Sequence, residues 1–218
     1  MPVAVQAVPF LVALLIAGLV VGYIFGPWGV VPIVVLVLFV LFFFRDPERV
    51  PPKGRGLVVS PADGRVTEIR RAPEGTRVSV FLSLLDCHIN RAPVAGVVRA
   101  ASHTPGRFHP AWQARASSEN ERNHLIIRAE RNDYGVTQVA GVLARRIVCT
   151  VRPGDVVRRG QRIGLIRFGS RTDLHLPPGF EPLVTAGDRV RGGETLMARE
   201  AAVEAAGPAS RAGAGVRA

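Results

Sequence analysis

Lysine is almost absent from this chain of 218 residues: Lys53 is the only one among 28 basic side chains, and all the others are arginines. Pyridoxal-phosphate enzymes and Schiff-base aldolases need a buried active-site lysine, and biotinyl or lipoyl carriers need a modifiable lysine on a turn. Lys53 lies in a Pro/Gly segment just after an apolar block, which suits none of these roles. The sequence therefore argues against pyridoxal-phosphate chemistry and against a lysine-modified carrier.

Cysteine, acidic and aromatic residues are scarce as well. The two cysteines, Cys87 and Cys149, form no C-x-x-C motif, which argues against a disulfide scaffold or a structural zinc site, and we expect no metal. The 17 acidic residues leave a net charge of +11, which is compatible with nucleic-acid binding. Aromatic residues make up only 6% of the chain and many lie in an N-terminal apolar block, so few can stack on bases. We predict no nucleic-acid partner.

The N-terminal block has no charged side chain before Arg45. Two apolar runs, Val3 to Phe25 and Val30 to Phe44, flank a Gly-Pro-Trp-Gly segment, which predicts an α-helical membrane hairpin with both ends on one side. As a helix the second run would span only about 22 Å, short of a hydrocarbon core of about 30 Å. A single span with an interfacial segment, or a hairpin buried in the core, are the alternatives.

A cleaved signal peptide fits the block poorly, because the apolar stretch is long and has no basic n-region. The arginine-rich remainder predicts a location at the cell membrane with the rest of the chain on the cytoplasmic side. We therefore expect an N-terminal membrane segment over residues 1–46, a β-rich domain over 47–199 and a disordered Ala/Gly-rich tail over 200–218.

Beyond Arg45, short apolar runs alternate with Gly, Pro, Asp and Asn, which predicts a mainly β fold. The predicted strands are Leu57 to Ser60, Arg65 to Ile69, Arg77 to Leu85, Val94 to Ala101, His124 to Ala129, Thr137 to Val151, Arg162 to Phe168 and Leu196 to Arg199. Pro110 to Arg122 is the best candidate for a short helix or a long loop.

Two segments 33 residues apart, Val151 to Ile163 and Val184 to Leu196, share the pattern V-x-x-G-D-x-V-x-x-G. Gly-Asp turns followed by a strand are typical of hairpins, and the pattern resembles the barrel-sandwich hairpins of biotinyl and lipoyl domains. Two copies are too few for a solenoid. We therefore expect a β-sandwich that contains two related barrel-sandwich-like hairpins.

Between the repeats lies the dipeptide Gly169-Ser170. Most such pairs are simple turns, with the glycine supplying an unusual φ angle. In a strained turn the serine oxygen can instead attack the preceding carbonyl and form an ester, because Gly169 has no Cβ to block the approach. If β-elimination then opens the ester, Ser170 becomes dehydroalanine and hydrolyses to a pyruvoyl group. The dipeptide alone is compatible with both interpretations.

Five motifs make the second interpretation specific. They are F-F-F-R-D-P-E-R from Phe42, S-P-A-D-G-R-V from Ser60, L-S-L-L-D-C-H-I-N-R-A-P from Leu82, N-E-R-N from Asn120 and R-F-G-S-R-T-D-L-H-L-P from Arg167. With the two repeats, and in this order, they resemble the shorter form of phosphatidylserine decarboxylase, a self-processing, pyruvoyl-dependent lipid enzyme. The scarcity of lysine agrees independently, since a decarboxylase without pyridoxal phosphate needs another electron sink.

The resemblance implies self-cleavage between Gly169 and Ser170, giving a β chain of 1–169 and an α chain of 170–218 that stay associated. Ser170 would become the covalent pyruvoyl group. The amine of phosphatidylserine would then form a Schiff base with its ketone, lose CO2 and leave as phosphatidylethanolamine, a step of phospholipid biosynthesis. The resemblance leaves homo-oligomerisation open.

The resemblance also implies roles for other residues. Asp63 matches an aspartate that orients the base for self-cleavage, although Asp-Gly is also an ordinary hairpin turn. His88 matches a histidine that assists proton transfer during decarboxylation, and a histidine with its ordinary pKa of about 6.5 can supply a proton at neutral pH. Longer relatives have a second histidine where this chain has Arg91. The base for self-cleavage therefore stays open between His88, His175 and strain in the turn.

An anionic substrate that stays in the bilayer gives the arginines a role. Arg45, Arg49 and Arg55 are candidates for membrane docking, each contributing about 1 kcal/mol at best, and Arg171 is a candidate for binding the lipid phosphate. A non-enzymatic, membrane-anchored barrel-sandwich adaptor would also use the two Gly-Asp hairpins. Such adaptors usually add long helical hairpins, and no heptad pattern is visible here.

Overall fold

In a computed structural model of the protein, the structure describes residues 2–110, 115–141, 146–167 and 170–201. Most of these residues form antiparallel β-sheet, and a pair of apolar helices precedes the sheets. The predicted mainly β fold with an N-terminal helical hairpin is therefore confirmed. The predicted disordered tail, apart from its first two residues, and the predicted cleavage residue Gly169 lie outside the described residues.

The N-terminal hairpin consists of a short 3-10 turn, Val5–Ala7, and the helices α1 (Val8–Phe25) and α2 (Pro27–Phe43). Gly26 makes the turn between the helices with a φ of 68°. At the opposite end the Ala4 N–H donates to the Phe44 carbonyl at 2.8 Å. Both ends of the hairpin therefore lie together, next to the β domain, as the sequence predicts.

The surface of the hairpin is apolar. The segment Val5–Phe25 is long and apolar enough to cross a membrane, with a mean hydropathy of 2.6, and none of the residues of α1 is buried. The helices meet through glycine, because a Cβ on Gly22 would lie 3.0 Å from Val30 Cγ2. Close packing through small residues is typical of paired helices in membranes. Tyr23 and Trp28 lie exposed at the tip.

In the described residues beyond the hairpin, fourteen strands and a four-residue helix follow. They are β1 (Leu57–Val59), β2 (Gly64–Ala72), β3 (Gly75–Leu82), β4 (Ile89–Arg91), β5 (Gly96–Thr104), α3 (Ala116–Glu119), β6 (Arg122–Ala129), β7 (Asn132–Val139), β8 (Ile147–Cys149), β9 (Val156–Val157), β10 (Arg162–Ile166), β11 (Ser170–Leu176), β12 (Phe180–Pro182), β13 (Arg189–Val190) and β14 (Leu196–Glu200). Eight form one sheet in the order β13-β2-β3-β11-β7-β6-β5-β9, and two small sheets have the orders β1-β14-β12 and β4-β10-β8. The main core takes side chains from the large sheet, such as Leu82 and Leu125, and from a small one, such as Met197.

The two sequence repeats occupy equivalent positions. Their first strands, β9 and β13, form the two edges of the large sheet, and the strands that follow, β10 and β14, are each the central strand of a small sheet. The Gly154 N–H donates to Val98 O at 2.8 Å, as the Gly187 N–H does to Val66 O at 2.8 Å. Both glycines have φ near 100°, at 95° and 100°, in the region that favours glycine. The two repeats are therefore structurally related, as the sequence predicts. Neither is a hairpin, however, because its two strands lie in different sheets and pair with other strands.

Three sequence predictions need correction. The single strand Thr137 to Val151 is wrong, because β7 ends at Val139 and β8 begins only at Ile147; the Ala140 N–H instead donates to Glu121 O at 2.9 Å outside the sheet ladder. Within Pro110 to Arg122, the described helix covers only α3, and β6 begins at Arg122. The prediction ended a strand at Phe168 and missed β11, whose alternating Arg, Asp and His residues resemble a loop in composition.

Candidate active site

Ser170 is the first residue of β11, in the middle of the large sheet. It pairs with Leu82 on β3 and is fully buried. Among the residues that the structure describes, no group forms a hydrogen bond with its Oγ. A buried hydroxyl without a partner costs about 1–3 kcal/mol, and such an atom in a native fold calls for an explanation. The Oγ of Ser170 is therefore not held by a structural hydrogen bond in the described residues, a feature that it shares with the buried Ser79.

The chain reaches Ser170 from β10, which lies in a different sheet. β10 pairs with β4 and β8, whereas β11 pairs with β3 and β7. The chain therefore changes sheets between Ile166 and Ser170. Phe168 and Gly169 lie outside the described residues. In the sequence, the predicted scissile bond therefore falls between the last residue of β10 and the first residue of β11.

His88 lies beside this crossing. Its backbone carbonyl accepts a hydrogen bond from the Ile166 N–H at 3.2 Å, which fixes it to the end of β10. The side chain is buried, and burial lowers the pKa of His88 from 6.5 to about 4. Its Nδ1 lies 2.9 Å from the Asp86 carbonyl oxygen, and because a carbonyl only accepts, Nδ1 carries the proton. At neutral pH His88 is therefore an uncharged imidazole with a lone pair on Nε2, and not the proton donor expected from an ordinary pKa.

The base of the hairpin forms one wall around His88. The ring of Phe43 packs on the imidazole with 4.3 Å between centroids, and Phe43 shares an apolar cluster with Cys87, Ile89 and Leu165. The Cys87 thiol donates to the Arg45 carbonyl at 3.3 Å, and burial raises its pKa. The membrane segment and the candidate site therefore share one packed interface.

Asp63 lies two strands away from Ser170. Arg65, Phe81 and Arg171 are side by side on β2, β3 and β11, which places Asp63 about 10 Å from the start of β11 at the usual strand spacing. Its carboxylate accepts from the Gly192 N–H at 2.7 Å and pairs with Arg49 at 2.7 Å. Burial raises the pKa of Asp63, although Arg49 lowers it.

Arg49 and Arg91 fix the linker that joins the hairpin to the β domain. Arg49 also pairs with Glu194 at 2.9 Å, and Arg91 donates to Asp46 Oδ1 at 3.0 Å and to the Pro47 carbonyl at 2.7 Å. Arg91 occupies the position at which longer relatives have their second histidine. Its guanidinium therefore binds the linker. Since a guanidinium keeps its proton, Arg91 does not take over the role of a base.

His175 and Arg171 face away from Ser170. Side chains alternate along a strand, so both lie on the opposite face of β11, and His175 is about 16 Å along the strand at about 3.3 Å per residue. His175 Nε2 lies 3.0 Å from Thr137 Oγ1, and burial lowers its pKa. The buried Arg171 contacts the Asp173 carboxylate at 2.9 Å. The side chains of Arg171 and His175 therefore do not lie on the face of β11 that carries the Ser170 hydroxyl.

A chain of buried amides beside the site was not assigned a role from the sequence. Asn123 Nδ2 donates to Gln138 Oε1 at 2.8 Å, and Gln138 Nε2 donates to Asn90 Oδ1 at 2.8 Å. Asn90 Nδ2 in turn donates to Thr172 Oγ1 at 3.1 Å. The chain joins β6, β7, β4 and β11, and it ends two residues from both His88 and Ser170. Two of the quoted motifs contain its asparagines, but only the fold brings them together.

Metal ligands do not cluster in the described part of the chain, where no group of three or more His, Cys, Asp or Glu residues could hold an ion. Cys87 is buried and Cys149 is exposed, and both are free thiols.

Comparison with known proteins identifies the family. Residues 36–198 match the family described as phosphatidylserine decarboxylase. The chain belongs to this family. It is 49% identical over 201 residues to the phosphatidylserine decarboxylase proenzyme of Granulibacter bethesdensis, covering 87% of this chain and 82% of that protein. It is 48% identical over 187 residues to the proenzyme of Novosphingobium aromaticivorans, covering 77% and 74%, and 48% identical over 174 residues to that of Ruegeria pomeroyi, covering 75% and 80%.

The family match begins inside α2 and ends inside β14. It therefore includes Phe43 and the linker, as well as both repeats and the segment around Ser170. The family resemblance inferred from the motifs is confirmed, and the family is one of decarboxylases.

Proposed function

We propose that this protein is a membrane-associated proenzyme that cleaves itself between Gly169 and Ser170 and then decarboxylates phosphatidylserine to phosphatidylethanolamine. The buried, unpartnered Oγ of Ser170, in a chain of this family, is the observation that carries the proposal. The names of the related proenzymes support both the processing and the substrate.

Self-cleavage begins when Ser170 Oγ attacks the Gly169 carbonyl carbon and the Gly169–Ser170 amide becomes an ester. Loss of the Ser170 α-proton then expels the Gly169 carboxylate and leaves dehydroalanine. Addition of water and release of ammonia give a pyruvoyl group at the start of β11. A hydroxyl with no competing hydrogen bond in the described structure is suited to the first step, because no existing bond has to be broken.

We assign His88 as the base for the proton of Ser170, because its backbone binds the end of β10 through the Ile166 N–H, four residues before Ser170, whereas His175 lies on the opposite face of β11. It is neutral at pH 7 because burial lowers its pKa to about 4, and its Nδ1–H bond to the Asp86 carbonyl leaves Nε2 as the acceptor. The half-buried Asp63 lies close enough to this wall for its charge to raise the pKa of Cys87, the residue before His88. We place Asp63 as a positioning residue that holds the linker, through Arg49, near this wall.

The site fits a pyruvoyl group. The group would replace a side chain that is already fully enclosed, so the fold need not open to hold it. Once formed, the group supplies a ketone that condenses with a primary amine and accepts the electrons released as CO2 departs. Neutral His88 can hold and return one proton beside that position. The buried pair of Arg171 and Asp173 keeps the opposite face of β11 uncharged overall.

The two fragments would remain together after cleavage. β11 lies between β3 and β7, β14 lies between β1 and β12, and β13 pairs with β2, so strands of the α chain are interleaved with those of the β chain. The hairpin would hold this assembly at the membrane, and the arginine-rich domain would face the cytoplasm.

Intact-mass spectrometry of the detergent-purified protein tests the proposal. We expect two species that divide between Gly169 and Ser170, with the smaller one blocked at its amino terminus by a pyruvoyl group. Ser170→Ala should give one uncut chain and no CO2 release from carboxyl-labelled phosphatidylserine. Ser79→Ala is the matched control, because Ser79 is also buried with an unpartnered hydroxyl in the described structure. An active, uncut wild-type chain would contradict the proposal.

A further inference from the structure

Arg167 occupies a special position at the boundary between the hairpin and the β domain. It directly follows β10 and lies three residues before Ser170. Leu165, two residues earlier and hence on the same face, packs in the apolar cluster at the base of the hairpin. The Arg167 guanidinium carbon lies 5.3 Å from the centroid of the Phe10 ring, in the first turn of α1. If the hairpin enters a bilayer, this position is at the level of the lipid headgroups.

The charge of Arg167 is not balanced by an acidic group in the described structure. Its Nε is buried and forms no hydrogen bond there. Other arginines with a buried Nε have partners for their terminal nitrogens in the described structure. Arg49, Arg77 and Arg171 donate to carboxylates, and Arg159 donates to carbonyls. For Arg167 the described side-chain contact is the face of Phe10. A partly buried cation without a counterion is unfavourable unless an anion binds there.

A second cation adjoins the first. The Arg167 N–H donates to the Arg146 carbonyl at 3.3 Å, and the exposed Arg146 lies close enough to lower the pKa of Arg167, after burial as the larger cause. Arginine binds phosphate through paired N–H groups, often with two parallel hydrogen bonds. Two arginines facing one site would therefore complement a single phosphodiester.

We propose that Arg167 and Arg146 bind the phosphodiester of the lipid substrate and so place its serine amine at residue 170. This inference rests on the proposed function. In phosphatidylserine only a few bonds separate phosphorus from the amine. Arg167 precedes Ser170 by three residues, so their Cα atoms are at most about 11 Å apart. Arg171, the arginine expected from the sequence to hold the phosphate, contacts Asp173 on the opposite face.

Competitive inhibition by soluble headgroup probes tests the assignment. Glycerophosphoserine carries the phosphodiester, whereas O-methylserine has the same amine and carboxylate without phosphate. In the Arg167→Gln variant we expect the inhibition constant of glycerophosphoserine to rise about tenfold to a hundredfold, the range of a lost charge-assisted hydrogen bond. The constant for O-methylserine should stay within twofold. Arg167→Lys should recover part of the loss, and Arg146→Gln should cause a smaller rise with the same selectivity.

Two controls separate this site from general electrostatics. Arg71→Gln removes an exposed charge on β2, and Arg45→Gln removes one at the base of the hairpin that already donates to the Phe42 and Leu85 carbonyls. Neither should change the ratio of the two inhibition constants. Inorganic phosphate is a further probe, and inhibition by it as strong as that by glycerophosphoserine would contradict the assignment to a lipid headgroup.

The outcomes for the inference and for the proposed function are distinct. A wild-type protein that releases no CO2 from phosphatidylserine would overturn the proposed function. An active wild type, with equal effects of Arg167→Gln on both probes, would overturn only the phosphate site. If Arg167→Gln is not processed, Arg167→Lys and Arg146→Gln decide, because both leave a cation at the boundary.

Discussion

The aromatic ring of Phe43, the last residue of α2, packs against the imidazole of His88 with 4.3 Å between ring centroids. Phe43 is almost fully buried, and so is His88. Because burial is the largest cause of the low pKa of His88, the end of the apolar hairpin helps to keep the candidate base uncharged. The base of the hairpin therefore forms part of the surroundings of the candidate site.

Replacing Phe43 with Ala should hydrate His88 and raise its pKa toward 6.5. The acidic limb of the pH profile for kcat/KM with phosphatidylserine, near pH 4 in the wild type, should then move upward by about one pH unit or more. Phe39→Ala is the control, because Phe39 lies one turn earlier and is 38% exposed. An unchanged acidic limb in Phe43→Ala would show that the contact does not set the pKa.

Replacing His88 with Gln should block self-cleavage, whereas His175→Gln should not. Removal of a general base typically slows a reaction by about 10²–10⁴-fold, and His175 lies on the opposite face of β11. Pulse-labelled protein, followed over time on denaturing gels, gives the rate of conversion of the uncut chain. Normal cleavage in His88→Gln with loss of cleavage in His175→Gln would reverse the assignment.

The same histidine should make stability depend on pH. The pKa of His88 is about 4 in the folded state and 6.5 ordinarily, so the unfolded chain binds its proton first as the pH falls. Stability is therefore complete above about pH 6.5 and is lost progressively down to about pH 4. The Tm should therefore fall as the pH is lowered from about 6.5 to about 4. In His88→Gln the Tm should fall less over this range than it does in the wild type. Burial also lowers the pKa of His124 and His175, so part of the slope should remain.

Arg91→His, which restores the histidine of longer relatives, should destabilise this protein instead of adding a base. Arg91 and Asp46 form a buried ion pair at 3.0 Å, and Asp46 also pairs with Arg162. Because Asp46 keeps this second partner, the loss of stability should be smaller than the cost of about 3–5 kcal/mol that is typical of a buried charge left unpaired. Denaturation in detergent should show this loss. Arg99→His is the control, since Arg99 pairs with Asp133 at an exposed site where an ion pair contributes at most about 1 kcal/mol. Faster cleavage in Arg91→His would contradict this interpretation.

Replacing Gln138 with Leu should break the buried amide chain. The change leaves the Asn123 donor and the Asn90 acceptor without partners, and each unpaired buried group costs about 1–3 kcal/mol. The free energy of unfolding should fall by about 2–6 kcal/mol on this basis. Gln161→Leu, on an exposed turn, should change it by less than about 1 kcal/mol. Equal free energies of unfolding for the two variants would show that the hydrogen bonds of the buried amides do not stabilise the fold.

Much of the organisation could be predicted from local sequence. The uncharged apolar block before Arg45 predicted the helical hairpin, because two long apolar runs flank a Gly-Pro turn. The repeated Gly-Asp turns predicted two related structural units, because both turns need glycine at positive φ. The Gly169-Ser170 dipeptide, within its motif, predicted the bond that is cleaved. Each of these features depends on residues close together in the chain.

The contacts that define the site could not be predicted in this way. β11 was not predicted because charged residues such as Arg171 and Asp173 are typical of loops. In the fold the two side chains form an ion pair, which allows them to be buried within the sheet. The sequence around His88 does not indicate a perturbed pKa. The pKa is lowered by burial in the fold, to which Phe43, 45 positions earlier, contributes by packing on the imidazole. Local sequence thus sufficed to predict the apolar hairpin, the repeats and the candidate cleavage bond. The burial of His88, and the position of the partly buried Arg167 without a carboxylate partner in the described residues, emerge only from the fold, because burial and ion pairing depend on residues far apart in the chain.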